Sequence, residues 1–256
     1  MSQRYDQRIF RAFGLNAEGE VYLNACKDGL LRHDLLSEII HLLRIRYFLS
    51  ERVYFHHTKT ASGAMISRAV EEALDQAFTL QDLEQHSDET LIYALSTTYP
   101  RNKIIEMLLS ALASHRIYKR AYLLTRQIGE AKRLQLVNDY HLSSQSRREA
   151  ERALCKSLRL KEGQLILYCP AFGMQLKEAS VKVRTQHGGL RTLSDLKLPE
   201  LETLKERHQD LWKMYVFVHP EVMTQSQRIA EACERYFGVE NHLPALRSGQ
   251  MFLSFD

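Results

Sequence analysis

An α+β fold is predicted by a change of periodicity partway along the chain. From Leu30 to Leu112 apolar residues recur at the i, i+3, i+4 spacing of amphipathic helices. After Arg116, short β-rich runs alternate with helical ones. Apolar residues make up 45% and charged residues 26% of the 256, an ordinary balance for a globular chain able to bury a substantial core. The expectation is an N-terminal all-helical segment, 1–115, followed over 116–256 by a ferredoxin-like βαββαβ subdomain and a C-terminal helix.

The elements justify themselves in order. Tyr5 to Phe13 has the pattern of one amphipathic helix, Gly14 to Gly19 that of a turn, and Glu20 to Leu23 that of a brief strand. Leu30 to Ser62 lies between Gly29 and Gly63 without an internal Gly or Pro, and reads as one long helix, bent near its middle. Met65 to Phe78 continues the pattern with Met65, Ile66, Ala69, Val70 and Ala73 inward. Ser87 before Asp88 and Glu89 marks a helix start, because acids suit the first turn. Pro100 is read as opening another helix from its first turn. Beyond Arg116, strands are expected at 117–124, 164–169, 179–185 and 212–218, helices at 147–159 and 198–208, and a turn at Gly188-Gly189. A last helix is expected over 221–237.

Composition narrows the function classes. A net charge of +4 suits an anionic ligand such as a nucleotide and falls short of a strongly basic nucleic-acid binder. Cys26, Cys155, Cys169 and Cys233 include no C-x-x-C pair, so neither a zinc site nor a disulfide framework is indicated. The apolar runs are too short for a bilayer and no apolar leader opens the sequence, which makes a cytoplasmic location the expectation. No G-x-S-x-G elbow and no phosphate-binding Walker loop occurs.

Within the long helix, Arg46 shares a sector about 60° wide on either side with Leu35, Ile39, Leu42, Leu43, Leu49 and Val53. An arginine among aliphatic side chains needs either a carboxylate, such as Glu38, or an anion held in a cavity. Ser50, Tyr54 and His57 fall beside the same stripe.

The run from Arg46 through Tyr54, His56, His57 and Lys59, with Met65 and Arg68 beyond, resembles a segment of the HD-domain phosphohydrolases. It is most similar to the branch of the deoxynucleotide triphosphohydrolases and the mammalian SAM-and-HD-domain enzyme. The resemblance implies that Arg46 touches substrate phosphate, that Tyr54 packs on sugar or base, and that His56 faces bound nucleotide. His57 stands where the family often has lysine. The turn Phe172-Gly173-Met174-Gln175 resembles the family's aromatic-Gly-Met-Gln turn, and Lys177 after it falls at a family regulatory position. Arg116 to Arg120 is similar to the basic-aromatic-Lys element of the family's nucleotide-dependent oligomer interface, which assigns Lys119 there.

The same resemblance implies a divalent metal (Mn, Mg, Fe or Zn) held in the complete enzyme by a histidine, a later His-Asp pair and a still later aspartate. His33-Asp34 is the one such pair, yet no histidine precedes it, and it reads better as a helix start. The expectation is therefore a partial polypeptide: the substrate-facing and regulatory portion of a nucleotide phosphohydrolase, binding no cofactor itself and inactive alone. Its partners would be a dNTP or GTP and further copies of itself or an HD-containing segment. The alternative is a non-catalytic module that assembles with a separate HD subunit or binds nucleic acid.

Overall fold

The computed structural model describes residues 7–28, 30–174, 176–185 and 189–246. After a 3₁₀ helix, Gln7–Ala12, come strands β1 (Phe13–Leu15), β2 (Val21–Asn24), β3 (Cys26–Lys27) and β4 (Leu30–Leu31), then helix α1 (His33–Leu49). A π-helical turn, Ser50–Tyr54, follows α1 directly. Helices α2 (His57–Leu74), α3 (Leu80–Glu84), α4 (Asp88–Thr98) and α5 (Lys103–Ala113) lead to strand β5 (Lys119–Thr125). Next are α6 (Glu130–Tyr140), α7 (Ser144–Leu158), β6 (Leu165–Tyr168), β7 (Lys182–Arg184), β8 (Leu190–Thr192), α8 (Pro199–Gln209), β9 (Lys213–Val218) and α9 (Ser226–Phe237).

The chain divides into two compact units, each discontinuous in sequence. One comprises Met1–Tyr54 with Gly173–Leu211, the other Phe55–Phe172 with Trp212–Asp256. The two units interleave along the sequence, each made of two stretches.

The first unit is built on a four-stranded sheet in the order β1-β2-β7-β8. β1 and β2 form an antiparallel hairpin, and β2 runs parallel to β7 with Leu23 opposite Val183. Gly14 has no room for a side chain, since a Cβ there would meet the Tyr22 ring at 2.7 Å. α1 buries Leu35, Leu36, Ile39, Ile40, Leu43 and Tyr47, and α8 packs along it with Leu201 and Leu204 inward.

The second unit has a three-stranded antiparallel sheet in the order β5-β9-β6. One face carries Leu123, Ile166, Tyr215 and Phe217 into a core shared with Ala61, Met65, Ala69 and Ala73 of α2 and with Ile105 and Leu108 of α5. The i, i+4 run of small side chains on α2 is what lets that helix approach closely. α7 and α9 pack against β6 and β5 and against each other.

Four expectations are corrected here. Along the chain the elements run β5-α6-α7-β6-β7-β8-α8-β9, and they do not close into one four-stranded ferredoxin-like sheet. β7 pairs with β2 and β8 instead, because an apolar residue of β2, Leu23, offers Val183 a buried partner at 3% exposure. The long helix is two helices, since His56 adopts extended backbone (φ −63°, ψ 134°) and restarts the chain as the cap of α2, with Gly63 inside that helix. Pro100 precedes α5 rather than opening it. Asn102 is the cap, its side-chain oxygen accepting from the N–H groups of Ile104 and Ile105 at 3.0 and 3.1 Å. The segment expected to be helical at Tyr5 to Phe13 gives only the 3₁₀ turn within its described part, and α6 was not anticipated. Gln175 and Gly188 lie outside the described residues.

No helix among the described residues is long and apolar enough to cross a membrane.

Candidate functional site

In the second unit, the start of α2 lies within reach of positive charge from β5 and β9. His56 is the helix cap, its Nδ1 accepting from the Thr58 N–H at 3.4 Å. Because His56 is not itself helical, its ring is not splayed about 100° from that of His57, as two consecutive helical residues would be. The two imidazoles instead approach to 4.2 Å between centroids.

His57 is half-buried, and its imidazole is pushed down to about 4. Burial is the largest cause, followed by the positive charges of Arg120, His56, Lys119 and Lys213. Lys119 and Arg120 open β5, whereas Lys213 opens β9 opposite Thr125, at the far end of β5. The first turn of α2 adds its backbone N–H groups and the positive end of its dipole. Like charges brought together this way repel one another, and an anion relieves that repulsion.

The sequence candidates are distributed as follows. His56 and Lys119 are brought to one place, and His57 joins them. Arg120 and Lys213 are additions that sequence reasoning missed. Arg120 belongs to the basic run that was noticed, whereas the only hint of Lys213 was a cation at the head of a strand. Lys177 opens a 3₁₀ turn, Lys177–Ser180, in the first unit, and only its backbone is described.

Arg46 and Tyr54 both belong to the first unit. Arg46 is exposed on the last turn of α1, not buried in its apolar stripe. The reason is that the buried line runs through Leu36, Ile40, Leu43 and Tyr47, and Arg46 is turned about 100° away from Tyr47. Leu49, Val53 and Tyr54, at 46%, 51% and 51% exposure, continue that uncovered sector. A π turn closes i→i+5 and so rotates less per residue than an α turn, which swings Tyr54 back toward the face carrying Arg46. Single π turns of this kind are frequent at functional sites.

Arg68, part of the same sequence run, has a different fate. It is buried at 3% exposure, with Nε donating to Glu151 at 2.9 Å and a second ion pair to Glu72 at 2.5 Å. The other Glu151 oxygen accepts from the Leu167 N–H at 2.8 Å, closing the open edge of β6. Burial pushes the Glu151 carboxyl up while Arg68 pulls it down. This is a structural clamp between α2 and α7.

His33 and Asp34 open α1, where Asp34 pairs with Arg32 at 2.7 Å. Among the described residues no three His, Cys, Asp or Glu side chains are gathered as a metal ion would require. No chemical step is assigned to a metal on this chain.

Comparison with known proteins adds the following. The family model for the "HD associated region" matches residues 38–245. Among solved structures, a phosphohydrolase from Bacteroides thetaiotaomicron VPI-5482 is similar with a TM-score of 0.48 at 14% identity, over 83% of this chain and 55% of that one. The chain thus spans a little over half the length of that protein. No protein with a curated description matches the sequence.

Proposed function

We propose, from the premise that the chain belongs to the HD associated region family, that it is the substrate-facing and regulatory portion of a nucleotide phosphohydrolase. The observation that carries this reading is the positive charge of Arg120, His56, Lys119 and Lys213 acting on His57 at the start of α2. A polyphosphate is the ligand class that such a group accommodates, because several cations and backbone donors can each take one of its oxygens. Lys119, Arg120 and Lys213 supply fixed positive charge. His57, neutral without a ligand, takes up a proton when phosphate charge arrives beside it.

In this reading the cluster holds a regulatory dNTP or GTP, with Lys177 contributing to the same role. Arg46 and Tyr54 serve the substrate, the guanidinium on phosphate and the phenol on sugar or base. Hydrolysis belongs to a metal-bearing HD segment that completes the enzyme, and this chain alone turns over no nucleotide. Calorimetric titration with GTP and each dNTP tests the proposal. Saturable binding that weakens in Lys119→Ala and Lys213→Ala supports it. A chain that binds none of these nucleotides rules it out.

A second reading is favoured by one specific observation, the uncovered Leu49, Val53 and Tyr54 on the first unit. These side chains suit an interface with an HD-containing subunit or with another copy of the chain. Val53→Lys should then abolish co-purification with such a subunit while leaving nucleotide titration at the basic cluster unchanged.

A further inference from the structure

A second, separate place in the same unit has the marks of an anion site. Arg133, in the second turn of α6, is only 8% exposed, and its Nε has no hydrogen-bond partner. A buried arginine ordinarily has its donors matched by carboxylates, as Arg68 does. The Phe172 ring lies against one face of the Arg133 guanidinium, with Cζ 4.2 Å from the ring centroid. That stacking accounts for the flat face and leaves the Nε donor unanswered.

The surroundings are arranged for negative charge. Helical side chains lean toward the N-terminus of their helix, so Arg133 reaches back over the first turn of α6. The first intrahelical bond is the one from the Arg133 N–H to the Gly129 carbonyl, at 3.1 Å. The N–H groups of Glu130, Ala131 and Lys132 precede it, and no side chain caps them. Gly129, at φ 84°, has nothing within 4 Å of where a Cβ would stand, so the approach is open. Arg126 adds positive charge, while Glu130 is the opposing carboxylate, and burial and Arg126 outweigh it in pushing Arg133 down.

We infer that the first turn of α6, with Arg133 leaning over it and Arg126 beside it, is a binding site for a phosphoryl group. A tetrahedral oxyanion can accept from helix N–H groups and from a guanidinium edge at once, which a single carboxylate does less completely. The phosphoryl group can belong to free phosphate or to a phosphomonoester. Because Arg133 covers the Phe172 ring, that ring is not offered as a base-stacking platform. The site shares no side chain with the cluster at His57, so the two stand or fall separately.

The test is amide NMR of the full chain titrated with inorganic phosphate and, in parallel, with glycerol 3-phosphate. Saturable shifts of Glu130, Ala131 and Lys132 are expected, with tighter binding of the ester if the group arrives on a larger molecule. Arg133→Met, which can still pack on Phe172, should weaken binding tenfold or more. Arg126→Gln should weaken it severalfold with the Arg133 stack intact, and Lys119→Ala should leave it unchanged. Unmoved amides in the wild type, or an Arg133→Met protein that keeps both its fold and its phosphate affinity, would reduce Arg133 to a packing group on Phe172.

Discussion

Where α2 faces α7, positive and negative side chains alternate: Arg68 with Glu72 and Glu151, Arg147 with Glu71, and Arg148 with Asp75. About three turns earlier on the same helix, the groups acting on His57 are cations throughout. The residue types are the same and the helix is the same, but in one place ion pairs set the geometry and in the other positive charge holds an imidazole neutral. The alternating set needs nothing from outside, and its geometry is fixed by the fold. The additive set is held together by β5, β9 and the helix start despite its own repulsion, and that is the condition under which an external anion gains most.

Removing one member from each set sharpens this contrast. Glu151→Leu strips Arg68 of a partner and the Leu167 N–H of its acceptor inside the protein, and should destabilise by about 3–5 kcal/mol in urea unfolding. A loss under about 1 kcal/mol would show that the α2–α7 clamp is not the self-contained structure described. The double change Arg68→Met with Glu151→Leu should recover more than half of that loss, because no unpaired charge remains buried.

At the other end of α2 the signs reverse. Lys119→Ala should leave stability within about 0.5 kcal/mol of wild type, as a surface change does. It should nonetheless cost about 1.5–3 kcal/mol of nucleotide affinity, the worth of a hydrogen bond to a charged group. Equal damage to stability and affinity would erase the distinction between the two clusters.

The smallest effect is a pH dependence of stability. The unfolded histidine takes its proton near 6.5, and His57 in the folded chain takes it only at about 4. Between those values the unfolded state holds more protons, so stability falls as pH drops from 6.5 to 4 and this contribution is constant above 6.5. His57→Asn should flatten that portion of the pH profile of Tm. The effect is modest because His57 remains half solvated.

Much of this was legible along the chain and little of it across the chain. The strands at 119–125, 165–168 and 213–218 announce themselves by β-branched and aromatic runs, and α4 and α7 by Ser87 and Ser143 at their starts. What local pattern cannot express is partner choice. Nothing around Val183 says that it will lie beside Leu23 rather than beside the neighbouring strands, so the four-stranded expectation failed on that single pairing. α6 was missed because its surface is largely polar, with only Arg133, Leu136 and Val137 buried. The basic group was half visible: His56 and Lys119 carried family resemblance, while Lys213 opens β9 opposite Thr125, and nothing in the local sequence ties it to the start of α2. Arg46 was placed in an apolar stripe by counting residues, but the stripe is covered only over its first turns.

The most direct test of the central claim is the proton affinity of the His57 imidazole, followed by NMR with and without GTP. Without nucleotide the ring should titrate near 4. With nucleotide bound, phosphate beside it should raise that value toward or above 6.5, and affinity should increase as pH falls. A His57 titration that is unchanged at saturating GTP would contradict the account, because the phosphates would then be bound elsewhere or not at all.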